Sequence, residues 1–176
     1  MTETERYNLV SIIRDVPDFP KPGILFKDIT PVLSDPALLQ RVIDHFAAFY
    51  ADKGIDAICG VESRGFIFGA PLALAMNLPF VLARKPGKLP AEKIKVEYSL
   101  EYGTNTLEMH TDAVAPGQRV VVVDDLLATG GTADATRQLI ETLGAEVASF
   151  AFVIELGFLN GRDKFASVPC ESILII

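Results

Sequence analysis

Two adjacent aspartates, Asp124 and Asp125, close a run of four valines and are followed by Ala128, Thr129, Gly130, Gly131 and Thr132. Ionised Asp only accepts hydrogen bonds, so the pair suits vicinal hydroxyls, which donate; a ribose 2′,3′-diol offers two. Gly130 and Gly131 permit the bend that makes successive backbone N–H groups converge, and Thr129 and Thr132 add hydroxyl donors. A helix starting here would bring its positive end to the same spot, which favours a monophosphate. Each piece alone is an ordinary strand, turn or helix cap. Together they predict a ribose 5-phosphate site. The chain contains neither GxxxxGK[ST] nor GxGxxG, which removes the Walker and dinucleotide alternatives.

Three further clusters have residue types suited to the same ligand. In Glu62-Ser63-Arg64-Gly65, Arg64 offers a planar fork that fits diphosphate oxygens, and Gly65 allows a tight turn and close approach. Arg84, Lys85 and Lys88 surround Pro86-Gly87; a basic run is usually a solvated loop, yet three cations here could clamp a diphosphate. Leu25, Phe26 and Lys27 sit in a proline-rich stretch whose apolar residues are too many for a free loop; for Phe26 the default is plain core.

These groups need elements to position them. Val120–Val123 reads as a central strand buried on both faces, within Arg119–Asp124. Buried-type runs also fall at 55–61, 79–83 and 147–156, with a terminal edge strand at 173–176. Helical spacing follows Asp35-Pro36, a capping side chain and a proline at the first position, and recurs at 66–76 and 133–143. A short helix is predicted near 3–14 and a hairpin from 94–102 with 104–110. Residues 17–30, with prolines at 17, 20 and 22, are expected to be an ordered loop or flap. Alternating strands and helices predict an α/β fold with a central, mainly parallel sheet flanked by helices, and ligands beyond the carboxyl ends of its strands.

Bulk properties exclude other classes. A chain of 176 residues suits one domain, 1–176. A net charge of -7 repels a phosphate backbone, so no nucleic acid is expected as partner. Cys59 and Cys170 have no CxxC spacing and read as buried free thiols, and two histidines without HExxH give zinc no ligand set. The start MTETERYNLV has no signal-peptide pattern, and no apolar run approaches the ~20 residues that span a bilayer, so no membrane and a cytoplasmic location are expected.

Taken in order, PDFPKPGILFKDITPVL at 17–33, ESRGFIFG at 62–69, ARKPGKLP at 83–90, SLEYG at 99–103 and VVVVDDLLATGGT at 120–132 resemble the type I phosphoribosyltransferases and, among them, the adenine phosphoribosyltransferases. The resemblance covers about residues 7–165. It implies a type I phosphoribosyltransferase-like fold with a small N-terminal hood, about residues 1–33, and a hairpin lid. The implied reaction is adenine plus phosphoribosyl pyrophosphate (PRPP) giving AMP and pyrophosphate, a step of purine salvage, with Mg²⁺ as cofactor carried by PRPP and water rather than a protein cage. It also implies a homodimer, for which the apolar helix Phe66 to Met76 is a reasonable interface.

The resemblance assigns roles residue by residue. Glu101 and Arg64 would be catalytic, Glu101 either handling a proton on the base or positioning substrate. Asp124, Asp125 and Ala128, Thr129, Gly130, Gly131, Thr132 would hold the ribose phosphate. Arg64, Arg84, Lys85, Lys88 and Tyr102 would meet pyrophosphate. Leu25, Phe26, Lys27 and Leu159 would meet the base. Three rivals stand beside this reading: an enzyme on another base, for which Lys21 or Lys27 could serve a 6-oxo group; a PRPP-sensing regulator; and a PRPP synthase, normally about twice this size. The family match, the charge of -7 and the length disfavour them in turn.

Overall fold

Apolar strands that alternate with helices can bury both faces only as a parallel sheet between helical layers. The computed structural model describes residues 1–2, 9–100 and 103–176. In chain order the elements are β1 Arg14–Pro17, β2 Leu25–Asp28, a helical turn α1 Thr30–Leu33, α2 Pro36–Tyr50, β3 Ala57–Val61, α3 Arg64–Met76, β4 Phe80–Ala83, β5 Lys93–Leu100, β6 Gly103–His110, β7 Arg119–Leu127, α4 Gly131–Thr142, β8 Glu146–Glu155 and β9 Cys170–Ile175. Two 3₁₀ turns, Gly157–Leu159 and Gly161–Phe165, link β8 to β9.

The sheet runs β4-β3-β7-β8-β9, and every neighbouring pair is parallel. The four valines thus occupy the middle strand, and all four are fully buried. Their side chains alternate between two cores. Val121 and Val123 pack with Phe46, Phe68 and Leu72 of α2 and α3; Val120 and Val122 pack with Ala135, Leu139 and Ile140 of α4 and with Leu107 and Met109 of β6. Asp35 caps α2 by accepting from the N–H groups of Ala37 and Leu38 at 2.9 and 3.2 Å, as its sequence signature predicts. Among the described residues no helix is long and apolar enough to cross a membrane.

Some expectations are corrected. The stretch 17–30 is not simply a loop: β1 and β2 pair antiparallel from Arg14↔Asp28 to Pro17↔Leu25. Backbone pairing between distant segments satisfies the N–H and C=O groups of the arms, while Pro20 and Pro22 stay in the connection. The predicted helix at 3–14 is helical at 9–12 and turns into β1 at Arg14; residues 3–8 lie outside the described residues. Strand β7 continues past Asp124 to Leu127, because β8 offers partners as far as Glu155. Cys59 is buried, and burial pushes its thiol up to about 12. Cys170, by contrast, is only half-buried, near Arg162 and Ser172.

A partly buried charge network holds the turns between β8 and β9. Arg162 donates from Nε and Nη2 to the two carboxylate oxygens of Glu155 at 2.6 and 2.5 Å, and from Nη1 to the Cys170 carbonyl at 3.1 Å. Ser172 donates to Glu155 Oε2 at 2.6 Å. The bidentate fork clips the two 3₁₀ turns onto the ends of β8 and β9. Burial alone would raise the Glu155 carboxyl, but Arg162 and Ser172 outweigh it and hold the carboxyl below its ordinary value. A depressed carboxyl contributes stability fully above its unfolded value of 4.5, and loses it as pH falls through the lower folded value. Glu155→Gln is therefore expected to be less stable to urea at pH 7 by about 1–3 kcal/mol. The gap should narrow below about pH 4.5; a gap that does not change with pH would show that the clamp's charge is irrelevant.

Candidate functional site

Strands β3 and β7 are neighbours whose exits diverge. From β3 the chain enters α3, which packs on one face of the sheet; from β7 it enters α4 on the other. Such a switch opens a crevice beyond the strand ends. A cavity of about 350 Å³ lies there, lined by Glu62, Ser63 and Arg64 after β3, by Lys85, by Tyr98 and Asn105 of the hairpin, and by residues 124–133.

The carboxylates stand near the carboxyl end of β7, at this crevice. Asp125 is 2% exposed and accepts from Arg64 Nε at 2.5 Å. Asp124 Oδ1 accepts from the Asp125 backbone N–H at 2.9 Å. Desolvation, followed by the charge of Asp125, holds the Asp124 carboxyl well above the usual carboxylate range, although Arg64 acts in the opposite direction. Gly65 makes the Arg64–Asp125 approach possible, since a Cβ at that position would run into the Val123 carbonyl oxygen and the backbone of Asp124.

The glycine loop follows. Gly130 has φ +77, in the left-handed region that favours glycine, and serves as the N-cap of α4, which starts at Gly131 rather than near Ala133. A side chain at Gly130 would strike the Gly161 carbonyl, so the loop rests on the turn that Arg162 and Glu155 hold. Thr132 presents its hydroxyl 3.1 Å from the Tyr98 hydroxyl. The loop therefore brings two threonines and the N-terminus of α4 to the cavity.

The basic loop is organised by Glu62, a residue quoted in the motif but given no role there. Glu62 accepts from Arg84 Nε and Nη2 at 3.0 and 3.3 Å and from the Lys85 backbone N–H at 3.0 Å. Against the pull of desolvation, these donors hold the Glu62 carboxyl below its ordinary value. Arg84 Nη1 also donates to the Lys88 carbonyl at 3.0 Å, so its guanidinium is spent on shaping the loop. Lys85 lines the cavity; Lys88 is exposed and does not. The buried carboxylate of Glu108, another residue the sequence did not single out, accepts from Gly87 N–H at 3.0 Å and ties the loop to β6.

The residues assigned to the base are less gathered. Phe26 is half-buried, edge-on to Phe19 at 5.1 Å between centroids, with the Arg64 guanidinium 5.5 Å from its ring. It thus adjoins the site through Arg64. Leu25 is 49% exposed, and Lys27 Nζ is 2.6 Å from Asp15. Leu159 is half-buried on the first 3₁₀ turn. None of these four lines the cavity. Glu101 and Tyr102 lie outside the described residues. Among the described residues no three His, Cys, Asp or Glu side chains gather as a metal cage.

A parallel sheet whose strand ends collect a carboxylate pair, a glycine loop at a helix start and a basic loop defines an α/β protein whose crevice suits a phosphorylated sugar. Comparison with known proteins narrows the class. Residues 30–171 match the family model of the phosphoribosyl transferase domain. The adenine phosphoribosyltransferase of Roseiflexus sp. (strain RS-1) is 58% identical over 167 residues, 95% of this chain and 97% of that one. The crystal structure of adenine phosphoribosyltransferase from Thermoanaerobacter pseudethanolicus superposes with a TM-score of 0.95 at 51% identity, covering 97% of this chain and 99% of that one. The Saccharomyces cerevisiae enzyme, solved with adenine and an imino-altritol bisphosphate, has a TM-score of 0.92 at 41% identity, covering 98% of this chain and 100% of that one. The chain belongs to the phosphoribosyltransferase family and, within it, to the adenine phosphoribosyltransferases.

The raised Asp124 carboxyl has a measurable cost. A group whose folded value lies above its unfolded value of 3.8 lowers stability as pH rises past the latter. Asp124→Asn keeps the Oδ1 acceptor for Asp125 N–H and removes the charge. In denaturant titrations the variant is expected to be more stable than the parent at pH 7, by an advantage that grows from about pH 4 upward. Equal stability at both values would show that the two carboxylates do not strain the fold.

Proposed function

We propose that this chain transfers the 5-phosphoribosyl group of PRPP to adenine, forming AMP and releasing pyrophosphate. The single observation that carries the reading is the crevice between β3 and β7, where Asp124 and Asp125, the glycine loop and the Arg64 fork face one cavity. The adenine bound by the yeast relative supports the choice of base.

In the proposed reaction a base nitrogen attacks the anomeric carbon. The bond from that carbon to the diphosphate oxygen breaks, its electron pair leaves with pyrophosphate, and the N–H proton that the base gives up passes to Glu101 or to solvent. The transition state has oxocarbenium character, as in glycoside hydrolysis. Asp124 and Asp125 accept from the ribose hydroxyls and favour the developing positive charge. Ala128, Thr129, Gly130, Gly131 and Thr132 bind the 5′-phosphate through backbone N–H groups and hydroxyls. Arg64, with Lys85 and Tyr102, receives the leaving diphosphate, while Lys88 adds positive charge from the exposed part of the loop and Arg84 holds that loop on Glu62. Phe26 would flank the base, with Leu25 and Lys27 reading its edge and Leu159 closing the other face. Glu101 handles or positions the base, and the hairpin excludes water that would otherwise hydrolyse PRPP.

Mg²⁺, when bound, neutralises charge on the diphosphate. The carboxylate oxygens of Asp124 and Asp125 are hard donors that fit a hydrated hard cation arriving with its substrate. The same proposal takes residues 1–176 as one domain with residues 1–33 as a hood, a cytoplasmic location and a homodimer. Ile67 and Leu74 of α3, 38% and 83% exposed, support the last.

Pyrophosphate release should be measured with PRPP and Mg²⁺ against adenine, guanine, hypoxanthine, xanthine and orotate in turn. Release with adenine alone is expected; release with another base instead would overturn the base assignment and leave the PRPP site. Asp125→Asn is expected to lower kcat/KM for PRPP by roughly tenfold or more while the circular dichroism spectrum stays that of the parent. Near-parental activity would remove Asp125 from the ribose site. Glu101→Ala is expected to lower kcat more than it raises the KM for PRPP, and an unchanged kcat would make Glu101 a bystander.

A further inference from the structure

Tyr98 sits on β5 directly opposite Asn105 of β6, and both residues line the cavity. With Ile94 and Val96 it packs against the core that includes α4, so its ring is set by the hairpin rather than by solvent. Its hydroxyl lies 3.1 Å from Thr132 Oγ1. The backbone carbonyl of Thr132 is occupied, accepting from Thr136 Oγ1 at 2.9 Å. Thr132 itself lines the cavity, and its hydroxyl is the part of the residue that meets Tyr98.

Either hydroxyl can donate when the loop holds no anion. A phosphate removes that freedom, because at neutral pH its oxygens chiefly accept. Thr132 must then donate to the phosphate, and its own oxygen is left to accept from Tyr98. We propose that Tyr98 is a further positioning residue of the 5′-phosphate pocket, acting through a one-way relay from the Tyr98 O–H to the Thr132 hydroxyl and on to the phosphate. The relay pins the rotor of Thr132 in the donating orientation and polarises its O–H, since hydrogen bonds in a chain strengthen one another. It also gives the hairpin a direct contact with the residue that holds the substrate's phosphate.

This inference rests on the assignment of residues 128–132 to the 5′-phosphate. Ribose 5-phosphate is the probe, titrated calorimetrically into the full chain and into Tyr98→Phe, Thr132→Val and the double variant. Removing one neutral hydrogen bond should weaken binding about three- to tenfold in Tyr98→Phe. In the Thr132→Val background the same change should have no further effect, because the relay is already cut. Thr132→Ser keeps the hydroxyl and should restore the sensitivity to Tyr98→Phe. In turnover, Tyr98→Phe should raise the KM for PRPP by the same factor and leave the KM for adenine and kcat within about twofold. Equal losses on Tyr98→Phe in the parent and in the Thr132→Val variant, or an affinity for ribose 5-phosphate that ignores Tyr98→Phe, would overturn the relay alone. A parent chain that binds no ribose 5-phosphate would overturn the phosphate assignment and the relay with it.

Discussion

The ion pair between Arg64 and Asp125 is the interaction on which the site depends. Asp125 stands at the end of a strand buried on both faces, where its carboxylate has almost no water. A carboxylate so placed needs a cation and hydrogen bonds from the protein. Arg64 supplies both from the first turn of α3, and it reaches Asp125 only because Gly65 lets that turn lie against the backbone of β7. The pair therefore ties the start of α3 to β7 beside the crevice. Arg64 remains 43% exposed on its side chain, so the same guanidinium that neutralises Asp125 still faces the cavity and the ring of Phe26.

An acidic chain that binds an anion has to separate its charges locally. Here the separation is achieved by using carboxylates as scaffolding. Glu62 gathers Arg84 and the Lys85 N–H, Glu108 takes the Gly87 N–H, and Glu155 takes Arg162. Each of these acids orders a loop, and only Glu62 among them also lines the cavity. The crevice is lined besides by the Arg64 fork, Lys85, the hydroxyl-bearing Thr129 and Thr132, and the Asp124–Asp125 pair that suits a diol. Desolvation first, and the neighbouring charge of Asp125 second, raise the Asp124 carboxyl, which is the cost of keeping both carboxyls on this strand. Strain of this kind is a usual feature of sites built for binding rather than for stability.

The loops also support one another across the sheet. The Glu155–Arg162 clamp holds the turns after β8, Gly161 of those turns supports Gly130, and Gly130 caps α4 beside Thr132. The hairpin completes the chain of contacts through Tyr98 on one side and Glu108 on the other. The glycine loop and the basic loop, which serve opposite ends of the proposed substrate, are thus both tied to β5 and β6.

Much of this was legible in the residues alone. Four consecutive valines fit a strand buried on both faces, the acids after them read as lying toward its carboxyl end although the strand runs on to Leu127, and Gly130-Gly131 before a helical pattern read as a turn. These features are local, since they depend on side-chain period, on glycine's backbone freedom and on the directions of helix and strand. The β1–β2 ribbon was not legible, because pairing across a proline-bearing connection is decided by the partner strand and not by the propensity of either segment. The role of Glu62 in holding Arg84, and that of Tyr98 beside Thr132, were hidden for a similar reason. The partners are 22 and 34 residues apart in sequence, and only the packing of hairpin, sheet and α4 decides that they meet. Alternation at Ile94, Val96 and Tyr98 does show which face of β5 turns inward, but not what waits there. Residue type and spacing thus determined which chemistry the chain could perform, and tertiary structure decided which charges are free to perform it, because a charge's partner is set by distance in space.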